Sequence, residues 1–212
     1  MIDYTAINRD FYDSQAESFN PLRKWFHQTR HRLIGDLVQI YFRGGTILDL
    51  GCGNCLWNTN RGLPVIGVDI SKGMLEFAKE QGNISDAIET SLNHLAIRDQ
   101  SIDMIVITEV LEHMKFYNEI LTSINKALKP GGFIVASVPY DTRFSMWRPL
   151  FAIQCMIQGY VFGDEYYRKK CGHINHFSPL IFQYALLDSG FIPVDELYMK
   201  RFTILTVGKK VS

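Results

Sequence analysis

The chain has 212 residues, 47% of them apolar and 21% charged, and its 22 basic side chains are balanced by 22 acidic ones. This composition excludes disorder, and the neutral total disfavours a wholesale polyanion binder, whose affinity comes from Lys and Arg neutralising phosphates. A chain of this length buries roughly 70% of its unfolded surface and needs no disulfide or metal staple, so one domain over 1–212 is expected.

The elements follow in chain order. Leu22–Tyr41 carries a helical apolar stripe at Leu22, Trp25, Phe26, Leu33, Leu37 and Tyr41, within an N-terminal helical cap over 1–43. Thr46–Leu50 and Val65–Asp69 read as buried strands, and Asn54–Pro64 between them is too short for more than a turn. Ser71 N-caps a helix over Lys72–Gln81 that Gly82 stops. Asp86–Thr90 is a weaker strand and Asp103–Thr108 a strong one. A helix over Asn118–Leu128 ends at Lys129-Pro130-Gly131-Gly132, and the strand Gly132–Val138 follows. Ser178 and Pro179 open a further helix that Gly190 stops, and Phe191–Leu197 and Thr203–Gly208 close the chain as an antiparallel hairpin.

Near-continuous apolar strands alternating with helices predict an α/β fold. The expected form is a doubly wound, mostly parallel seven-stranded sheet with helices on both faces and the last strand antiparallel. Residues 44–139 would be the cofactor-binding core and 178–212 the C-terminal helix and hairpin. Tyr140–Phe177 breaks the rhythm for nearly forty residues, longer than compact domains hold without purpose. With its apolar segment Met146–Phe162 it is read as a lid or substrate-side insertion.

The four cysteines, Cys52, Cys55, Cys155 and Cys171, are expected as free thiols in a cytoplasmic protein. Met1–Asp10 is polar and unlike a secretory leader, and no apolar run reaches the ~18 residues of a membrane span.

Leu48-Asp49-Leu50-Gly51-Cys52-Gly53-Asn54 sits where the first strand ends. Gly51 and Gly53 let the backbone approach a ligand, and ligands of such sheets bind beyond the carboxyl ends of the strands. Asp69 closes the next strand, where a carboxylate accepts both hydroxyls of a ribose. The third glycine of a dinucleotide fingerprint would fall at Leu56, so the site suits a nucleoside without a pyrophosphate, which disfavours a nicotinamide oxidoreductase.

These residues resemble the class I, Rossmann-like S-adenosylmethionine-dependent methyltransferases. The resemblance runs from about Thr46 to Gly208 through ILDLGCGN (Ile47–Asn54), VIGVDIS (Val65–Ser71) with Met74-Leu75, LAIRDQSIDMIV (Leu95–Val106), VLEHM (Val110–Met114) and LKPGGFIVASVP (Leu128–Pro139). It implies S-adenosylmethionine as cofactor. By resemblance Asp49, Gly51, Cys52 and Gly53 surround its methionine part, Asp69 binds the ribose, Ile70 packs on adenine, and Thr108 and Glu109 are further cofactor-binding positions. Ser91 and Leu92 stand where the family places an acidic residue near the adenine amino group. Cys55 replaces a common third glycine, which would require a negative φ there.

Methyl transfer is an in-line displacement with a good neutral leaving group, so the protein mainly aligns donor and acceptor. A general base is needed only for an acceptor protonated at neutral pH. Candidates are Glu109, Glu112 and His113 after the fourth strand, Tyr140 after the fifth, and His173 and His176 before the Ser178 helix; His113, Tyr140, His173 and His176 are the catalytic choices. No metal is expected: Cys52-x-x-Cys55 lies inside the glycine turn, and Cys171, His173 and His176 lack a fourth ligand.

In the insertion, Arg143, Arg148, Arg168, Lys169 and Lys170 flank apolar residues such as Trp147, Phe151 and Phe162. This segment either closes its own core or meets an amphipathic acceptor with an anionic group, such as a quinone, lipid-linked or glycan metabolite. Weak contact with a membrane surface is a further reading. Charge divides unevenly: Met1–Arg43 has six basic and five acidic residues, Gly44–Leu128 six and eleven, Lys129–Ser212 ten and six. A negative cofactor half suits a sulfonium and an ammonium. One rival is a tRNA methyltransferase using Arg23-Lys24 and Arg30-His31-Arg32 with Trp25 and Phe26. Another is a non-catalytic cofactor-binding protein.

Overall fold

The computed structural model describes Thr5 and residues 7–211; of the polar stretch Met1–Asp10, residues 1–4 and 6 lie outside the described residues. Seven strands form one sheet in the order β3-β2-β1-β4-β5-β7-β6. They are β1 (Ile47–Leu50), β2 (Val65–Asp69), β3 (Asp86–Glu89), β4 (Ile102–Thr108), β5 (Leu128–Pro139), β6 (Phe191–Met199) and β7 (Thr203–Lys210). The first five pair in parallel, while β7 runs antiparallel to both β5 and β6. The chain reverses between β1 and β4, which opens a crevice beyond their carboxyl ends.

Burial on both faces explains the apolar runs. On one face Leu48, Leu50, Ile105 and Ile107 pack with Leu121 and Ile124 of α4 (Tyr117–Ala127) and Phe182 and Leu186 of α7 (Pro179–Asp188). On the other, Ile47, Met104 and Val106 meet Ile34, Leu37 and Val38 of α2 (Pro21–Tyr41), with Leu75 and Ala78 of α3 (Lys72–Glu80). Ser71 and Ser178 cap α3 and α7 as expected, accepting from Met74 N and Ile181 N. Asn20 caps α2, accepting from Leu22 N and Arg23 N ahead of Pro21.

The strand β5 starts earlier than the sequence suggests. Leu128 already pairs with Ile102, and a register shift follows before Met104 pairs with Phe133. Lys129-Pro130-Gly131-Gly132 is therefore an irregular strand opening as well as a helix stop. A Cβ on Gly132 would lie 2.9 Å from the carbonyl oxygens of Asp103 and Lys129, so the bulge needs glycine.

A short helix α1 (Phe11–Ala16) precedes α2. Between β5 and α7 come α5 (Trp147–Met156), a π-helical turn at Ile157–Val161, and α6 (Glu165–Arg168). Gly159 lets the turn lie against α6, where a Cβ would come within 2.8 Å of Arg168 N. Cys155, Tyr167 and Cys171 form a small core of their own, with Phe151 and Tyr166 against it. Among the described residues, no helix is long and apolar enough to cross a membrane.

Candidate active site

The glycine loop leaves β1 and bends toward β2, with Gly51 N and Cys52 N both donating to Val68 O, at 2.8 and 3.1 Å. Gly51 and Gly53 hold φ of +68° and +49°. Gly53 N donates to Asp69 Oδ2 and Ser71 N to Asp69 Oδ1, both at 2.9 Å. Each Asp69 oxygen keeps a second lone pair. A Cβ on Gly51 would sit 2.6 Å from Val110 Cγ2, in a conformation L-residues resist. Gly51→Ala should therefore displace Val110 or the loop and weaken S-adenosylhomocysteine binding at least about tenfold in calorimetry, through a clash and strain of roughly 1–3 kcal/mol; unchanged affinity would show that the loop does not approach the ligand.

Asp49 lies beneath this loop at 1% exposure. Trp57 Nε1 donates to its Oδ2 at 2.7 Å, while its Oδ1 is buried without a partner. Burial raises the Asp49 pKa to about 7 against the opposing Trp57 hydrogen bond. Burial also pushes both Cys52 and Cys55 thiols up, and among the described residues no disulfide joins Cys52, Cys55, Cys155 or Cys171. The negative φ expected at Cys55 is corrected: its φ is +49° and ψ 44°. Left-handed backbone costs a non-glycine residue about 1–2 kcal/mol. Here it is over-determined by Cys55 N donating to Cys52 O, Asn58 N donating to Cys55 O, and a buried side chain. The short Asn54–Pro64 link does reduce to a 3₁₀ turn, Leu56–Asn58.

From the N-terminal side α1 roofs the loop. Asn54 Nδ2 donates to Arg9 O and Asp13 Oδ2, and a Cβ on Gly53 would meet the Tyr12 ring at 2.9 Å. Ile70 is half-buried directly after Asp69, and Thr108 is half-buried at the end of β4. Ser91 caps the turn Leu92–His94, accepting from Asn93 N, and Leu92 packs on the core below.

Glu109 is engaged rather than open. Its φ is +55°, Ser137 Oγ donates to its Oε1 at 2.9 Å, and Arg30 Nη1 stands 3.4 Å from its Oε2. Arg30 is itself 8% exposed and lies over the Phe26 ring. Burial raises the Glu109 pKa against the pull of Arg30; burial and the Glu109 charge push Glu112 well above the usual carboxylate range. Phe26 faces the cleft described below, and Val110 closes on Gly51, so this charged pair links the cleft wall to the glycine loop.

The basic cluster read as a nucleic-acid contact does not form one surface. Arg30 points inward to Glu109, Arg32 pairs with Asp36 and Lys24 with Glu17, and Trp25 and Phe26 pack on Phe202.

Of the four catalytic choices, His113 and His173 meet edge-on at 4.8 Å between ring centroids. Burial lowers His113 to about 4 and His173 to about 3. The meeting is enforced by Asn175, whose Nδ2 donates to Leu111 O and Met114 O, while Ile174 N and Asn175 N donate to Glu112 O. Asn175 is a site residue with no role expected from the sequence, and Arg30 is one that the sequence placed in a nucleic-acid contact instead. The exposed His176 is tied instead to Asp141, whose other oxygen stands 2.6 Å from Arg148 Nε as an ion pair. Tyr140 is half-buried and sits edge-on to Tyr198.

The His173 ring is stacked with Trp147 and Phe151, at 4° and 14° between planes. Trp147 and Phe151 then wall a cleft of ≈ 370 Å³ between α2, α5 and the turn before β7, with Phe26, Leu150 and Phe202. The cations of the insertion are largely spent within it: Arg168 donates to Gly159 O and Gly163 O, Lys169 pairs with Glu165, and Arg148 with Asp141. Arg23 is the cation lining the cleft among the described residues, apart from its neutral His27.

A family model described as a methyltransferase domain matches residues 48–136, which spans the glycine loop, Asp69 and the Val110–Met114 turn. The fold is that of the class I S-adenosylmethionine-dependent methyltransferases, with the matched methyltransferase domain at its centre. Its methyltransferase sheet is shared by a SAM-dependent methyltransferase of Thermotoga maritima, with a TM-score of 0.63 at 17% identity over 94% of this chain and 99% of that one. The malonyl-[acyl-carrier protein] O-methyltransferase of Yersinia pestis is 29% identical over 64% of this chain and 51% of its own length. The ubiquinone biosynthesis O-methyltransferase of Idiomarina loihiensis is 33% identical over 63% and 57%. The chain thus spans little more than half the length of these relatives.

Proposed function

We propose that this chain transfers a methyl group from S-adenosylmethionine to a hydroxyl oxygen of an apolar small-molecule or lipid-linked acceptor. The observation that carries the reading is the aromatic cleft, whose Phe26 carries the Arg30 guanidinium paired with Glu109, the residue before the Val110 that closes on Gly51. Two relatives named as O-methyltransferases support oxygen as the methylated atom.

The residues fit the cofactor. The unpartnered Asp49 Oδ1 is an acceptor for its ammonium group, and the spare lone pairs of Asp69 suit two ribose hydroxyls. Gly51 and Gly53 keep the loop free of Cβ atoms, while Ile70 and Leu92 offer apolar contact to adenine and Ser91 a polar edge. Bound S-adenosylmethionine supplies a methyl group on a sulfonium, an activated carbon with a neutral leaving group. The chain's own work is alignment, which reaches effective molarities of about 10⁵–10⁸ M. Trp147, Phe151, Phe26 and Phe202 hold the apolar body of the acceptor and exclude water, with the insertion acting as the acceptor-side lid. His113 and His173, behind the Trp147–Phe151 wall, orient the hydroxyl, whose proton is lost to solvent as the methyl–sulfur bond breaks. His176 and Tyr140, held by Asp141 and Tyr198, are assigned no proton. An anionic group on the acceptor would meet Arg23 rather than the paired Arg148.

The test is methyl release from labelled cofactor with hydroxylated polyprenyl quinols, carrier-linked acids and bulk tRNA as acceptors. A quinol substrate is expected, with Trp147→Ala raising its KM about tenfold or more through loss of stacked area, while S-adenosylhomocysteine affinity holds; transfer to the carrier-linked acids alone would overturn the hydroxyl as acceptor. Methylation of tRNA alone would overturn the acceptor class. Tight cofactor binding with no transfer to any acceptor would leave the non-catalytic alternative standing.

A further inference from the structure

We propose that Glu112, His113 and His173 form a binding site for one divalent transition-metal ion behind the Trp147–Phe151 wall of the cleft. One donor atom from each of these residues lies within 4.8 Å of the other two. Glu112 Oε1 and His113 Nε2 are 3.8 Å apart. Ligands bound at about 2.1 Å to a shared ion sit roughly 3–4 Å from each other, so movements of about an ångström close the site.

Glu112 supplies an independent observation. The residue is 1% exposed, and its Oε2 is buried without a hydrogen-bond partner. An unpartnered buried carboxylate oxygen is costly, and the nearby guanidinium of Arg30 is directed to Glu109. A cation between the carboxylate and the two imidazoles answers that deficit.

The two rings are also held as metal-bound imidazoles are held. His113 is hydrogen-bonded to the main chain at Gly172, and His173 is fixed by its stack with Trp147 and Phe151. Asn175 fastens the two segments together through Leu111 O and Met114 O. Outer contacts of this kind orient imidazole ligands and set metal affinity. Two imidazoles and one carboxylate select zinc, manganese, iron or cobalt over magnesium or calcium. Three protein ligands leave further coordination positions open to a small molecule.

This revises the expectation of no metal, and it replaces the trio considered from sequence. Of Cys171, His173 and His176, only His173 takes part. Cys171 is buried against Cys155 and Tyr167, and His176 is engaged by Asp141.

The experiment uses the full chain stripped with a chelator, and it is independent of methyl transfer. Zinc chloride is titrated by calorimetry, and cobalt chloride is followed by visible absorption. Expected are one zinc per chain and a cobalt spectrum of nitrogen and oxygen ligation. Glu112→Gln and His173→Gln should each weaken zinc binding by more than about tenfold, while His176→Gln keeps it. Retained S-adenosylhomocysteine binding marks a folded variant, and His173→Gln carries the comparison if Glu112→Gln does not fold. No zinc uptake, thiolate-to-cobalt bands, or undiminished affinity in His173→Gln would overturn the site. Failure here leaves the methyltransferase reading intact, since labelled methyl transfer is measured separately.

Discussion

Arg30→Met should lower the stability of the fold by about 3–5 kcal/mol, the usual cost of removing one partner of a buried ion pair. The Arg30 and Glu109 side chains are 9% and 18% exposed, so solvent can do little to replace the lost charge. Glu109 is held in a left-handed conformation by its neighbours, and Glu112 lies buried beside it, so the carboxylate cannot swing out to water without disturbing the turn after β4. The guanidinium also covers the Phe26 ring at 5.1 Å, a contact worth roughly 0.5–2 kcal/mol. For a chain of this size each kcal/mol shifts Tm by about 2–4 °C, so a fall of at least about 6 °C is expected. The companion variant decides the cause. Arg30→Met with Glu109→Gln should regain much of the loss, because the uncompensated charge is gone. A single variant within about 1 kcal/mol of the parent, or a double variant as unstable as the sum of the singles, would refute the pairing.

Arg30 also shows what the sequence could and could not convey. In the one-dimensional chain it sits among Arg23, Lys24 and Arg32 and reads as part of a basic surface. Helical spacing carries a weaker, opposite signal, since Phe26, Arg30, Ile34 and Leu37 recur on one face of α2, and the last three are buried. The partner, Glu109, is 79 positions away, and no local pattern reveals it. The sheet was far more legible. Ile47–Leu50, Ile102–Thr108 and Thr203–Gly208 are mostly apolar runs, broken by Asp49, Asp103 and Thr206, because helices cover both faces, and the caps at Ser71 and Ser178 announce their helices through side-chain chemistry. The helix α1 has six residues and no buried side chain, too little for a period to show. The Cys55 conformation left no mark, because a residue forced into the left-handed region by tertiary packing need not be glycine. At the site, the glycine loop and Asp69 were legible as residue types at the ends of strands. The pairing of His113 with His173, and the separation of His176, depend on the Asn175 clamp and the Trp147–Phe151 stack, which join segments some sixty residues apart.

Asp49 gives the second large effect, and it is a pH effect. Its pKa is raised by burial from 3.8 to about 7 in the folded chain. The folded state therefore holds a proton that the unfolded state releases. This contribution to stability is fully present below about pH 4 and is lost as pH rises through 7, by about 1.4 kcal/mol per pH unit in between. Asn in its place keeps an acceptor for Trp57 Nε1 and cannot ionise. Asp49→Asn should therefore match the parent near pH 4 and exceed its stability by a few kcal/mol at pH 8; the difference between the two pH–stability curves isolates this one carboxyl from the rest. Ligand binding should run the other way. The ammonium of S-adenosylhomocysteine favours the ionised carboxylate, so binding below pH 7 must displace a proton. With an unliganded pKa of about 7, affinity should rise about tenfold from pH 6 to pH 8 and then level off. In Asp49→Asn that rise should vanish and binding should be weaker throughout, although the fold is more stable. Parallel pH profiles for parent and variant in calorimetry would show that Asp49 never meets the ligand's charge. The opposed signs are the informative feature: a carboxyl that only supported the loop would weaken both stability and binding when replaced, whereas one kept buried and short of a partner for a cationic ligand stabilises the empty chain on its removal and costs the bound one.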